Sequence, residues 1–334
     1  MPNQTTLGGD IKAYDSRIQT GFMEGLALNV GPLITGSRGA IRIRDQRLTG
    51  SYAIEANFVR PSNLIQRRDP TSNAAVDTMK VTQTEKASVS LSRRIGPASF
   101  SLTAFQRAGI SFDAFLNQFG RTAAEEVIKE QVNTGLAGLG AALYGQAESR
   151  YVYLDNSSAK KAMDTGALAD GLALMGDASD RVGVWVLHSK HFHKLVKEQI
   201  AAPNTQGAIA IQSGVPATLN RPYIVVDSPS LVRVTGSGSA AVTSYLSVGL
   251  TENALEVINS EPETIILGAP QTGSENIVYP YQGEYGYNVS VKGFTWDMAN
   301  GGANPTDAAL ATGTNWDAIF TDVKNRAGVV IEAL

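Results

Sequence analysis

The sequence of 334 residues contains no cysteine and only three histidines. The absence of cysteine excludes a disulfide framework, a thiolate metal site and cysteine catalysis. The first ten residues are polar and lack the apolar segment of a signal peptide. No run of about 18 apolar residues occurs, so the sequence predicts no membrane-spanning helix. We therefore expect a soluble protein that is made inside a cell.

Charge is distributed unevenly along the chain. The net charge is −3, yet residues 1–100 carry 13 basic and 8 acidic side chains, and the remaining residues carry 15 and 23. The basic excess lies between Arg38 and Arg94. Two binding partners fit such a basic segment: nucleic acid and the acidic part of a neighbouring copy. The second interpretation is favoured because no aromatic platform for base stacking accompanies the arginines.

The first 95 residues contain too few apolar side chains to form their own core. Residues 1–40 have short apolar groups interrupted by glycine, which predicts an arm that lies across another surface. Over residues 41–95, apolar residues alternate with arginines at one end, as at Ile41 and Ile43, and with serines at the other. This pattern predicts a two-stranded excursion. An isolated ribbon is marginally stable in water, so we expect it to need a partner surface.

A long amphipathic helix is predicted over residues 111–145. Apolar residues recur there at spacings of three and four, and the opposite face carries Glu130 and an i,i+4 pair of Glu125 with Lys129. Glycines weaken the prediction for the second half. A helix of more than about 25 residues indicates a spine along which other elements lie.

Residues 151–276 are predicted to form an α/β unit, and further strands follow it. A helix is expected to begin at Ser189, and residues 299–314 are expected to be a loop. The strand predictions are Val182–Leu187, Tyr223–Asp227, Thr243–Gly249, Glu263–Leu267, Tyr285–Trp296 and Gly328–Ile331.

No motif for catalysis, cofactor binding or metal binding stands out. His191 and His193 lie about 200° apart around a helix and cannot chelate one ion, so we expect them and His188 to be exposed or capping. No glycine-rich phosphate loop occurs. We therefore expect no catalytic, cofactor or metal site. An α/β enzyme that uses the histidines remains an alternative hypothesis.

The order of these features resembles that of the major capsid proteins of tailed bacteriophages, which have the Hong Kong-97 fold. The order covers most of the chain. The stretches that carry the resemblance are Gly36–Ile41, Ala123–Glu126, Val186–Lys190, Asn220–Asp227, Gly293–Trp296 and Thr314–Trp316.

The resemblance implies an α+β fold in which an extended loop overlaps an adjacent subunit. It implies an N-terminal arm (1–40), an extended β-hairpin loop (41–95), a peripheral domain (96–150 and 277–334) with the spine helix at about 111–145, and an axial domain (151–276).

The resemblance also implies a function and partners. Copies would form the hexamers and pentamers of an icosahedral virion head, assembled in the host cytoplasm around phage double-stranded DNA. A separate scaffolding protein, a portal and decoration proteins are the implied partners. An encapsulin-like compartment shell and a nucleic-acid-binding protein are the alternatives. The candidates for inter-subunit contact are Arg42, Arg44, Arg47, Arg60, Arg67, Arg68, Arg93 and Arg94.

Overall fold

Two β-sheets and a long helix form the body of the molecule. The computed structural model describes residues 22, 24, 34–47, 52–58, 68, 70–72, 75, 83–101, 112–153, 162–201, 218–219, 221–236, 238, 241–261, 265–272, 275 and 277–334. In these ranges, no helix is both long enough and apolar enough to cross a membrane.

The long helix, α1, spans Phe112–Gly145, which confirms the prediction from the apolar spacing. Leu116, Leu136 and Leu139 are buried, because the apolar stripe faces the sheets. The predicted pair of Glu125 with Lys129 is wrong. Lys129 instead lies 3.4 Å from Glu126, which is three residues earlier in the helix, and both side chains are exposed.

The glycines in the second half of α1 allow close approach and do not end the helix. A Cβ atom on Gly135 would meet the Leu255 side chain at 2.8 Å, and one on Gly138 would meet the Trp316 ring at 2.9 Å. The helix therefore continues through these positions because partners on other elements fill the space.

Sheet I has the strand order β1-β9-β11-β3-β2, and β10 also pairs with β11. Its central strand β11 is antiparallel to both β3 and β9, whereas β1 and β9 are parallel. The strands are β1 (Ile41–Asp45), β2 (Tyr52–Phe58), β3 (Gln83–Ser101), β9 (Leu255–Asn259), β10 (Ile265–Gly268) and β11 (Val278–Val291).

Sheet II has the order β4-β14-β8-β5-β6, and β7 also pairs with β8. A separate two-stranded sheet joins β12 and β13. The strands are β4 (Arg150–Val152), β5 (Val182–Leu187), β6 (Tyr223–Val225), β7 (Val232–Thr235), β8 (Val242–Thr251), β12 (Phe294–Trp296), β13 (Trp316–Ala318) and β14 (Gly328–Ala333).

Shorter helices cover sheet II and connect the late strands. The predicted helix at Ser189 is confirmed. The α-helices are α2 (Thr165–Ala173), α3 (Ser189–Ala201), α4 (Met298–Gly301) and α5 (Asp307–Leu310). The 3-10 helices are Ala147–Ser149, Gly176–Arg181, Pro229–Leu231, Gly313–Asn315 and Val323–Asn325.

The prediction of a loop over residues 299–314 is wrong, because α4 and α5 lie within it. A side chain caps the N-terminus of each helix. Asp297 accepts hydrogen bonds from the backbone N–H groups of residues 299 and 300, and Thr306 accepts one from the backbone N–H of Ala309. These caps satisfy the free N–H groups of the first turn. They allow short helices to form in a stretch with little apolar periodicity.

The pairing within the predicted ribbon also differs from the expectation. Ile41–Asp45 does not pair with the returning strand; it lies parallel to β9 in sheet I. Ile41 and Ile43 are buried there, and the intervening arginines remain exposed. Burial of the two isoleucines against the core of the same subunit is the physical reason. The partner of β3 is β2.

Each sheet combines strands from both of the implied domain ranges, and the ranges themselves stay a prediction. Strands β9 and β10 fall within the range implied for the axial domain, yet they belong to sheet I. Strand β14 falls within the range implied for the peripheral domain, yet it lies inside sheet II between β4 and β8. Every residue of β14 is buried, which explains its central position.

Candidate assembly surfaces

The first surface is the β2–β3 hairpin, formed by residues 52–58 and 83–88. Its register runs from the Tyr52 and Val89 pair to the Phe58 and Gln83 pair. Strand β3 pairs with β11 only from Val89 onward, so the hairpin extends beyond the body of sheet I among the described strands. The side chain of Ile54 is 50% exposed.

The root of this hairpin is fixed to the body of the subunit. The backbone N–H of Ala87 donates to the Thr295 hydroxyl at 2.8 Å, and Asn288 Nδ2 donates to the Ser88 hydroxyl at 3.2 Å. Both bonds join segments about 200 residues apart in sequence. The direction in which the hairpin leaves sheet I is therefore determined by its own subunit.

Two of the candidate contact arginines face glutamates of the same chain. Arg44 Nε lies 2.6 Å from Glu256, and an Arg42 guanidinium nitrogen lies 3.6 Å from Glu252. The parallel pairing of β1 with β9 brings these charges together. Exposed pairs of this kind contribute at most about 1 kcal/mol each, but they neutralise the basic stripe that the sequence indicated.

Arg93 belongs to a network around Glu130 that the sequence did not indicate. Arg93 Nε donates to the Glu130 carboxylate at 2.8 Å, and Arg93 also pairs with Asp307. The hydroxyls of Tyr285 and Tyr287 donate to the same carboxylate at 3.0 and 2.7 Å. Burial, followed by the negative charge of Glu130, raises the pKa of both tyrosines.

The sequence predicts Glu130 on the polar face of α1 but does not indicate this network, in which its side chain is only 31% exposed. In sequence it sits among exposed charged residues of α1, and nothing there distinguishes it from its neighbours. Its hydrogen-bond partners Tyr285 and Tyr287 lie on strand β11, about 155 residues away. The sequence does contain one signal of this network. Tyr285 and Tyr287, at positions i and i+2, lie on the same face of a predicted strand.

The other candidate arginines are exposed or lie outside the described residues. Arg47, Arg68 and Arg94 are exposed. Arg60 and Arg67 lie outside the described residues. The six described candidates therefore do not form one patch: two line β1, one enters the Glu130 network, and three face solvent.

Part of the N-terminal arm contacts the spine helix of its own chain. Phe22 is fully buried within the main apolar core. Glu24 forms an ion pair with Arg121 of α1 at 2.5 Å. At these two residues the arm is anchored within its own subunit.

The three histidines occupy different environments. His188 caps the start of α3 by accepting from the Lys190 backbone at 3.2 Å, and His193 is exposed. His191 is fully buried, so the prediction of an exposed or capping position is wrong for this residue. Its Nδ1 lies 2.6 Å from the hydroxyl of Ser247. Burial of the ring lowers the pKa of His191 to about 4.

The three histidines do not share one site. A group of three histidine, aspartate or glutamate side chains able to hold a metal ion is absent from the described ranges. The His191 ring lies on α3 and is buried in edge-to-face contact with Tyr245. Its role is that of a core residue.

Comparisons with known proteins agree on one class. A family model described as major capsid protein 13-like matches residues 10–330. No curated protein sequence matches the chain. The capsid asymmetric unit of cyanophage Pam1 is similar in structure, with a TM-score of 0.50 and 10% identity, over 75% of this chain and 84% of that chain.

A second solved structure, the capsid of Ralstonia phage GP4, has a TM-score of 0.49 and 9% identity. The match covers 89% of this chain and 87% of that chain. At such low identity, structural likeness concerns the fold alone, whereas the family model extends over almost the whole sequence.

Proposed function

The chain belongs to the major capsid protein 13-like family, and from this membership we infer that it is the shell subunit of an icosahedral phage head. The predicted α+β capsid fold of the Hong Kong-97 type is confirmed by this family and by the likeness to the Pam1 capsid. The match over residues 10–330 is the observation that carries the function. An encapsulin-like compartment is not favoured, because the family is one of capsid proteins.

We further propose how the copies are organised in the shell and which partners they have. Copies associate as hexamers and pentamers and enclose double-stranded DNA, with assembly in the host cytoplasm. A separate scaffolding protein, a portal and decoration proteins take part. The chain acts as a structural protein and not as an enzyme, which agrees with the family and with the separated histidines.

The β2–β3 hairpin is the proposed overlap with an adjacent subunit. Support comes from its half-exposed Ile54 and from its extension beyond the body of sheet I. Arg47, Arg68 and Arg94 are exposed and available for acidic groups of the neighbour. Arg42 and Arg44 can exchange partners on assembly, whereas Arg93 serves the Glu130 network of its own subunit.

Expression of the chain with and without its scaffolding protein tests this function. Electron microscopy and sedimentation should detect closed or tubular shells, and isolated heads should contain duplex DNA. Ile54→Asp should prevent assembly while leaving the subunit folded, whereas Glu55→Asp on the same strand, which keeps the charge, should assemble. Subunits that remain monomeric at high concentration with scaffold and portal present would contradict the proposal.

A further inference from the structure

The sequence contains one asparagine that is followed directly by glycine, Asn300 before Gly301. Asparagine is one of the thermolabile residues of proteins. A following glycine makes its loss easier, because glycine has no side chain to restrict the approach of its backbone nitrogen to the asparagine amide. Asn300 lies on α4 and is exposed, so water reaches it. The pair therefore combines the residue types and the exposure that deamidation requires.

Packing requires the glycine at this position. A Cβ atom on residue 301 would collide with the ring of Trp296, which is buried. The next residue, Gly302, has a φ of +72°, a conformation that favours glycine. Its carbonyl oxygen accepts a hydrogen bond from Trp296 Nε1 at 2.9 Å. A larger residue at position 301 would disturb the packing of Trp296, so the reactive pair is part of the fold.

Deamidation of such a pair takes place in two steps. The Gly301 backbone nitrogen forms a bond to Cγ of Asn300, and the side-chain nitrogen leaves as ammonia together with the proton of the backbone N–H. Water then adds to the succinimide ring and opens it to aspartate or isoaspartate. The first step requires the Gly301 nitrogen to release its proton, so a hydrogen bond that this N–H donates opposes the reaction.

Asp297 holds both reacting groups in the closed helix. The Gly301 N–H donates to the Asp297 carbonyl oxygen at 2.8 Å, and the Asn300 side-chain amide donates to the Asp297 carboxylate. The same carboxylate accepts from the backbone N–H of Ala299 at 2.8 Å and caps the helix. Hydrogen bonds from Ala299 and Asn300 lower the pKa of Asp297, so the cap is ionised at neutral pH.

We propose that Asn300 is a deamidation site and that Asp297 controls its rate by keeping α4 closed. A helix of four residues has few hydrogen bonds to hold it and opens locally. The reaction starts from the open state, and the capping side chain sets the population of that state. The aspartate product places a second carboxylate beside Asp297, which weakens the cap. The reaction needs only the chain and water, so it stands independently of the proposed function.

Mass spectrometry of peptides from the incubated full-length subunit measures the conversion of Asn300. We expect Asp297→Ala to raise the rate by about fivefold, because a lost cap increases the open population by about this factor. Asp297→Ser keeps a capping oxygen and should stay within about twofold of the wild type. Thr306→Ala removes the cap of α5 instead and is the matched control, so it should leave the rate at Asn300 unchanged.

Two further measurements separate opening of the helix from other effects of the variants. The Gly301 N–H should be protected from hydrogen exchange in the wild type and should exchange about fivefold faster in Asp297→Ala. In urea, where α4 is lost, both chains should deamidate at one rate that exceeds the rate of the folded wild type. Asn304 is exposed but precedes Pro305, whose nitrogen carries no proton, so it should not convert by this route.

Three results would each overturn the assignment. The first is equal deamidation of the folded wild type and folded Asp297→Ala. The second is a Gly301 N–H that exchanges without protection in the wild type, which is measurable even if Asp297→Ala does not fold. The third is a wild-type rate that is the same in the folded subunit and in urea. None of these results depends on whether the subunit forms shells.

Discussion

Glu130 joins three elements through one carboxylate. It lies on α1 and accepts hydrogen bonds from Arg93 on β3 and from Tyr285 and Tyr287 on β11. The hydroxyl of Thr134, one helical turn away, donates to the same carboxylate at 3.0 Å. The network thus fixes the rotation of the spine helix against sheet I.

Glu130→Ala should destabilise the subunit by about 2–3 kcal/mol, because it leaves buried hydroxyl donors and a guanidinium without their acceptor. Urea unfolding of the free subunit measures this cost. Glu126→Ala removes only the exposed pair with Lys129 and should cost less than about 0.5 kcal/mol. Equal costs for the two variants would show that the network contributes nothing to stability.

His191 should make the stability of the subunit depend on pH. Its pKa is about 4 in the folded protein and 6.5 ordinarily, because burial disfavours the charged ring. The unfolded chain therefore takes up a proton before the folded chain does. This contribution is complete above pH 6.5 and is lost as the pH falls towards about 4, at up to about 1.4 kcal/mol per pH unit.

Unfolding measured across this pH range checks the prediction. His191→Gln should flatten the slope, because the amide can bond to Ser247 but does not titrate. His193→Gln changes an exposed ring and should keep the wild-type slope. An unchanged slope in His191→Gln would contradict the assignment.

At the scale of elements, replacing either of two glycines of the spine helix with alanine should change the stability of the subunit in opposite directions. Gly138→Ala should destabilise by about 1–3 kcal/mol, since its Cβ would lie 2.9 Å from the buried Trp316 ring. Gly140→Ala meets no atom within 4 Å and should stabilise by up to about 1 kcal/mol through helix propensity. Thermal unfolding of both variants tests whether close packing against Trp316 requires glycine at position 138. A stabilised Gly138→Ala subunit would contradict it.

Local periodicity was sufficient to predict α1 and the strand at Val182–Leu187, because both patterns are long and regular. Strand pairing could not be predicted in the same way. The partner of Ile41–Asp45 is β9, more than 200 residues away, and no local pattern specifies such a register. The same limit explains Glu130 and His191, whose side-chain partners lie on strands distant in sequence.

For the whole molecule, charge pairing within the subunit determines how tightly the basic segment binds DNA. Free subunits should bind random duplex DNA no more tightly than about 10⁻⁴ M near physiological salt, because Arg42 and Arg44 are already paired. Fluorescence anisotropy measures this affinity. Replacing Glu252 and Glu256 together with glutamine should tighten binding and steepen its salt dependence. Tight, strongly salt-dependent binding by the wild-type subunit would favour the nucleic-acid-binding alternative.

A smaller apolar cluster packs α2 and α3 against sheet II, and one larger core connects α1 with both sheets. It contains Leu139 of α1, Tyr287 of sheet I and Val248 of sheet II, so these three parts are packed together. A close-packed interior of this kind deforms little. In an icosahedral head built from such subunits, differences in curvature must therefore arise at the contacts between subunits and not within this body.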